Sequence, residues 1–260
     1  MMNFNWLFDT PIAHRGLHTD KLPENSIGAF QNAIDNGLSV EMDIHLSADN
    51  QLVVFHDDNL KRVCGVDKKV KDCTVSELKS YKLAGTDFTI PTFDEFLDLV
   101  DGKIGILCEI KGVIPWDVSI AKAVVERVKT YKGNIALQSF NFGAVNYFRK
   151  NPLRPYGQLC SWHGTGDKGR SHIADLFGKL WIMKISKPQF VAYDVRALDK
   201  QYPENKYVKK HLKDTPFIIW TVKDDEKLES ALNYGNNLIF ENMPVEKIRA
   251  RFNERLPLNK

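Results

Sequence analysis

The chain is short of cysteine, of long apolar runs and of excess charge, and each shortage removes a class of protein. Its four cysteines, Cys64, Cys73, Cys108 and Cys160, show neither Cys-x-x-Cys spacing nor the density of a secreted disulfide scaffold. They read as reduced thiols. No apolar stretch is long enough to cross a bilayer, and Met1 to Trp6 lack the basic-then-apolar order of an export signal. The expectation is a soluble, cytoplasmic protein with no stable membrane insertion. A formal charge of +3, from 36 basic and 33 acidic residues that alternate along the chain, offers no clustered basic face. No nucleic-acid partner is expected.

What the chain does have is alternation. Strand-like apolar runs cover Ile12 to Arg15, Leu38 to Ile44, Ile104 to Ile110, Asn134 to Ser139, Tyr156 to Ser161, Phe190 to Asp194, Phe217 to Val222 and Leu238 to Glu241. Helical patterns separate them: Ser26 to Asn36, Thr92 to Val100, Trp116 to Tyr131, Phe142 to Lys150, Ser171 to Ile185, Tyr207 to Leu212, Asp224 to Tyr234 and Val245 to Arg255. Ser26 is placed as an N-cap, Thr92 with Glu95 as a capping box, and Pro244 opens the last helix. Eight strands alternating with eight helices predict an α/β chain closed as a (β/α)8 TIM barrel. At 260 residues it reads as one barrel, with a mostly polar, turn-rich segment inserted at 57–90 after the second strand that would cap the mouth.

Active sites of such barrels are built at strand C-terminal ends. His14, Arg15, Glu41, Asp43, Glu109 and Lys111 all fall there, and His56-Asp57 closes a further apolar run, Leu52 to Phe55. Glu41 and Asp43 stand at i and i+2, so they share one face of a strand, as do Glu109 and Lys111. Taken alone, Glu109 with Lys111 reads equally well as an internal salt bridge. Three carboxylates converging on a narrow lumen, however, repel one another unless a cation neutralises them. An oxygen-only donor set points to one divalent cation, Mg or Ca, rather than zinc. Arg15 and Lys111 beside it would bind a phosphoryl group, and two histidines could divide the acid and base work of its hydrolysis. His45 reads as a rim residue, His18, His163, His172 and His211 as solvent-exposed, and Gly235-Asn236-Asn237 as a turn at the barrel's lower face.

These residues resemble the glycerophosphodiester phosphodiesterases over most of the chain. The resemblance runs through His14-Arg15-Gly16, Pro23-Glu24-Asn25-Ser26, Glu41 and Asp43, His56-Asp57, and the capping segment at Leu60-Lys61-Arg62, Gly65, Val70 to Thr74 and Ile90-Pro91-Thr92. It continues through Glu109-Ile110-Lys111, Gln138-Ser139-Phe140 and Trp220-Thr221-Val222. It implies a barrel that cleaves a small glycerophosphodiester, such as glycerophosphocholine, to glycerol 3-phosphate and an alcohol. It makes His14 and His56 the acid-base pair, Glu41, Asp43 and Glu109 the metal ligands, and Arg15 and Lys111 the phosphate contacts. Phe140 and Trp220 would line the substrate pocket. Lysophospholipids hydrolysed in phospholipase D fashion are an alternative substrate, and a catalytically silent binding barrel is an alternative role that the intact site residues disfavour. Two departures stand out: Glu241-Asn242-Met243-Pro244 replaces the family's Thr-Asp-x-Pro, and residues 155 to 200 match poorly. Both are expected to affect substrate choice rather than chemistry.

Overall fold

A computed structural model describes residues 4–112, 114, 116–161, 183–198, 212 and 214–254. In it the apolar runs become nine strands: β1 (Ile12–Ala13), β2 (Ser39–Leu46), β3 (Leu52–Val54), β4 (Ile106–Ile110), β5 (Ile135–Ser139), β6 (Tyr156–Cys160), β7 (Phe190–Asp194), β8 (Phe217–Val222) and β9 (Asn237–Phe240). All but β3 are parallel, in the order β1-β9-β8-β7-β6-β5-β4-β2, and the β1–β2 pairing closes the cylinder into the expected (β/α)8 barrel. β3 returns antiparallel along β2, with Ile44 opposite Val54.

The described helices are α1 (Ile27–Asp35), α2 (Lys61–Cys64), α3 (Val75–Ser80), α4 (Phe93–Val100), α5 (Ser119–Val128), α6 (Phe142–Lys150), α7 (Met183–Ser186), α8 (Asp225–Tyr234) and α9 (Val245–Glu254). α4 shows why they form. Phe93, Phe96, Leu97 and Val100 repeat at i, i+3, i+4 and i+7 and are all buried, while Thr92 and Glu95 close a capping box. Ser26 likewise caps α1 by accepting from the Ala29 N–H. Most of the expected helix Ser171 to Ile185 and of Tyr207 to Leu212 lies outside the described residues, as do His163, His172 and His211; Met183 to Ile185 is helical.

Strand alternation sorts the core into two layers. Ile106, Cys108 and Ile110 of β4 face outward, into an apolar layer shared with Phe30, Phe96, Val124 and Phe148 of the helices. Inward residues Ile12, Leu107, Ala136, Phe190, Ile218 and Ile239 meet Leu7 in a separate plug that fills the lower lumen. Continuing five of these six strands by two residues beyond that plug gives His14, Glu109, Gln138, Trp220 and Glu241, and β7 gives the small Ala192. The lumen thus turns from apolar to polar toward the mouth.

Three sequence expectations need correcting. β1 ends at Ala13 rather than Arg15, because Arg15 and Gly16 adopt φ of 56° and 81°, which turns the chain out of the sheet. A Cβ on Gly16 would also stand 2.9 Å from the Ala29 carbonyl carbon, so only glycine fits there. β9 starts at Asn237, so the expected turn shortens to Gly235 and Asn236. Finally, the polar, turn-rich reading of the segment after β3 understated it. Besides α2 and α3 it buries Leu60, Val63, Val70, Cys73, Leu78, Leu83 and Ile90 together with Val53 and Phe55 in an apolar cluster of its own. All four cysteines are free. Among the described residues no helix is long and apolar enough to span a membrane.

Candidate active site at the mouth of the barrel

β2 and β4 run parallel with Asp43 beside Glu109, so the i, i+2 spacing on each strand delivers Glu41, Asp43, Glu109 and Lys111 to one inward patch. One carboxylate oxygen from each acid lies within 4.8 Å of the others, and all three acids are buried. The Lys111 ammonium bridges Asp43 Oδ1 at 2.8 Å and Glu109 Oε1 at 2.7 Å. Arg15 Nε stands 3.5 Å from Asp43 Oδ2, and the Arg15 backbone N–H donates to Glu41 Oε2 at 3.2 Å. That last bond depends on the left-handed turn that ended β1.

Three carboxylates against two cations leave one negative charge unbalanced in a nearly water-free patch. The consequence is visible in their proton affinities. Burial pushes the Glu41 carboxyl well up, and the Asp43 and Glu109 charges push the same way. Glu109 is raised by burial and then by Asp43, with Lys111 offsetting part. Asp43 goes the other way: burial would raise it, but Lys111 and Arg15 outweigh burial and hold it far below the usual range. Oxygen donors in this number, charge and proximity suit a hard divalent cation.

His14 and His56 flank this patch. His14 Nε2 is 3.9 Å from Glu41 Oε2, and its Nδ1 is hydrogen-bonded to Glu241. His56 Nδ1 is hydrogen-bonded to Asp57 Oδ1 at 2.5 Å. Burial lowers the basicity of both rings; the Glu241 bond offsets this at His14 and the Asp43 charge at His56. Burial thus favours the neutral form of each ring, and the carboxylate engages Nδ1 in each, while among the described residues no hydrogen bond reaches Nε2.

A chain of ion pairs ties the insertion to this site. Arg62 of α2 donates to both oxygens of Asp57 at 2.6 and 3.1 Å and to both of Glu24 at 2.8 and 2.7 Å. Glu24 in turn accepts from Arg15 at 2.8 Å. Burial would raise Asp57, yet the Arg62 and His56 bonds bring it down to about 2. Asn25, buried and at a φ of 57°, donates to Asp43 Oδ2 at 2.8 Å.

Phe140, just past β5, and Trp220, within β8, meet edge to face with centroids 5.7 Å apart. The buried Trp220 Nε1 and Gln138 Oε1 have no hydrogen-bond partner among the described residues, leaving one donor and one acceptor in the upper lumen. Beside Lys111 a cleft of about 360 Å³ opens between Lys69 and Lys71 on one side and Ile110, Ile114 and Ile120 on the other.

All nine residues singled out from the sequence thus reach the mouth of the barrel. His18 and His45 depart from the sequence expectation, and Glu241 was not singled out as a site residue. His45 is buried rather than at the rim, and donates from Nε2 to the His56 carbonyl at 3.2 Å. His18 is not solvent-exposed, since only 18% of its side chain is accessible and its Nε2 lies 3.8 Å from Glu241 Oε2. Glu241 itself had been assigned to substrate choice. Its position was legible nonetheless: it follows the inward Ile239 by two residues at the mouth end of the last strand, the pattern that identified Glu41 and Asp43.

Comparison with known proteins agrees with this geometry. Residues 14–245 match the glycerophosphoryl diester phosphodiesterase family profile. A glycerophosphodiester phosphodiesterase of Bacillus altitudinis is 27% identical over 254 residues, covering 92% of this chain and 97% of its own. A lysophospholipase D of Rattus norvegicus is 38% identical over 134 residues, 46% of this chain and 41% of that one. Two bacterial relatives of intermediate identity are matched over 60% and 61% of their lengths. The crystal structure of a glycerophosphodiester phosphodiesterase from Thermotoga maritima superposes with a TM-score of 0.68 at 29% identity, covering 89% of this chain and 94% of that one. With that profile matched over residues 14–245 of the barrel, the chain belongs to the glycerophosphoryl diester phosphodiesterase family.

Proposed function

We propose that this protein hydrolyses small glycerophosphodiesters, such as glycerophosphocholine, to glycerol 3-phosphate and an alcohol. One observation carries the reading: three buried carboxylates, two of them bridged by Lys111, form a single patch flanked by two histidines at the barrel mouth. Glu41, Asp43 and Glu109 would hold one divalent cation, Mg or Ca. When bound, that cation supplies electrophilic polarisation of a non-bridging phosphoryl oxygen.

The remaining work falls to side chains. Arg15 and Lys111 place two positive charges where phosphate oxygens would sit, so charge building on phosphorus is balanced without rearrangement. His14 and His56 act through Nε2: one accepts the proton of the attacking oxygen, and the other gives a proton to the leaving alkoxide. The accepting ring starts neutral, which burial favours, and the giving ring starts as the imidazolium, which the carboxylate bonded to its Nδ1 stabilises. Phe140 and Trp220 pack the glycerol or alcohol moiety, with the free Trp220 N–H as donor to a substrate oxygen. The segment 57–90 serves as a cap of the single barrel domain, and the natural setting of such a reaction on deacylated phospholipids is the cytoplasm.

A second reading keeps the chemistry and changes the substrate to lysophospholipids. It draws on the rat relative and on the apolar side of the cleft beside Lys111, where an acyl chain would have to run. Release of glycerol 3-phosphate from glycerophosphocholine, measured with and without chelator and against lysophosphatidylcholine, tests both. Chelator-sensitive turnover of glycerophosphocholine is expected; turnover untouched by thorough metal removal would overturn the cation's role. His14→Ala and His56→Ala are each expected to lower kcat by ~10²–10⁴-fold with the fold intact.

A further inference from the structure

We infer that Glu241 is a positioning residue for the phosphodiester hydrolysis, fixing the His14 ring and the nitrogen that carries its proton. The inference rests on the reading of His14 as an acid-base group. It begins with strand register. Ala13 of β1 pairs with Phe240 of β9, so the residues that follow, His14 and Glu241, leave the sheet side by side. Their backbones are pinned: the His14 N–H donates to the Phe240 carbonyl at 2.9 Å and the Glu241 N–H to the Val222 carbonyl at 3.1 Å. Both side chains point inward, since Ile12 and Ile239, two residues earlier, belong to the luminal plug.

The carboxylate then has little choice of partner. Glu241 Oε2 is bonded to His14 Nδ1, and Oε1 is paired with the Lys223 ammonium just past β8. Only 11% of the Glu241 side chain is accessible. Burial alone would favour its neutral form, but the bonds from His14 and Lys223 and the nearby His18 hold it ionised. An ionised carboxylate only accepts, so the proton of the neutral ring must sit on Nδ1. That leaves the Nε2 lone pair aimed at the acidic patch, 3.9 Å from Glu41 Oε2. An imidazole without such a partner rotates about χ2 and can place its proton on Nε2, where it blocks proton acceptance.

Asp57 provides the comparison within the same site. It bonds His56 Nδ1 and is itself gripped by Arg62, as Glu241 is gripped by Lys223. The mouth therefore holds two histidine–carboxylate–cation sets facing each other across the acidic trio. The departure at residues 241–244 accordingly belongs to the chemistry as well.

The test uses the full-length chain with glycerophosphocholine, and reads kcat, KM, divalent-cation affinity by calorimetry and the His14 tautomer by ¹⁵N NMR. Wild type is expected to show His14 protonated at Nδ1. Glu241→Gln is expected to lose ~10²-fold in kcat with KM and cation affinity within ~3-fold, and to lose the pure Nδ1–H signature. Glu241→Asp, which keeps the charge, is expected to recover at least ~10-fold of that loss. His14→Ala is run in parallel. Turnover surviving in His14→Ala would overturn the acid-base reading. Loss of turnover there, with wild-type kcat in Glu241→Gln, would overturn the role of Glu241 alone. Should Glu241→Gln fail to fold, the wild-type spectrum decides: a His14 proton on Nε2 refutes the inference.

Discussion

Replacing Arg62 by methionine removes one side chain that holds two others. Its guanidinium makes four hydrogen bonds, two to Asp57 and two to Glu24, and half of the side chain is exposed. Exposed ion pairs contribute about 0.2–1 kcal/mol each, and forked Arg–carboxylate geometry belongs at the upper end, so the two pairs together contribute about 1–2 kcal/mol. For a domain of this size that corresponds to a fall in Tm of ~2–8 °C. The pH dependence has a definite sign. Asp57 lies at about 2 in the folded protein against an ordinary 3.8, so its contribution is complete above the higher value and fades as pH falls toward the lower. The gap in Tm between wild type and Arg62→Met should therefore be constant across neutral pH and close below about pH 4. Catalysis should suffer as well, since Asp57 orients His56; a loss of ~10-fold in kcat is expected. Arg62→Lys should recover only part of both effects, because one ammonium cannot fork to two carboxylates. Calorimetric melts at stepped pH with parallel kinetics would decide. A variant melting within a degree of wild type at pH 7, with unchanged kcat, would refute the reasoning.

Other substitutions follow from the same geometry. Gly16→Ala sets a Cβ 2.9 Å from backbone at a φ of 81° and should cost about 2–4 kcal/mol in urea unfolding; a smaller cost would mean that the turn can relax. Glu109→Gln should weaken Mg or Ca binding at least ~10-fold by calorimetry, and equal affinity would remove Glu109 from the ligand set. Trp220→Ala should raise KM for glycerophosphocholine more than Trp220→Phe does, because only the alanine loses the packing on Phe140 as well as the N–H. Burial lifts the Cys64 thiol to about 11, so alkylation at pH 8 should be slow in the folded protein and fast in urea.

The sequence was most informative where periodicity and chemistry coincide. Glu41 and Asp43, then Glu109 and Lys111, are visible because alternation assigns them to one face and barrel geometry assigns that face to the lumen. His14 and His56 are visible because they terminate apolar runs. What stayed hidden depends on contacts through space. Arg62 reaches Glu24 across 38 residues because the insertion folds back on its own apolar cluster, which no short window reveals. Asn25 reads as part of a turn, and only its left-handed backbone shows why its amide meets Asp43. His45 was misjudged because the strand runs on to Leu46, past its expected end at Ile44.

The bond between His14 and Glu241 joins residues 227 positions apart, on the first and last strands of the barrel. It lies on the seam where the cylinder shuts, and β1 contributes only two residues to that seam. A folding chain can assemble the acidic trio on β2 and β4 early, from neighbouring segments, but it cannot complete the His14 pair until β9 arrives. Contacts of such sequence separation form late and slowly. Recovery of turnover during refolding should therefore lag behind recovery of cation binding, which makes the enzyme's own activity a clock for ring closure.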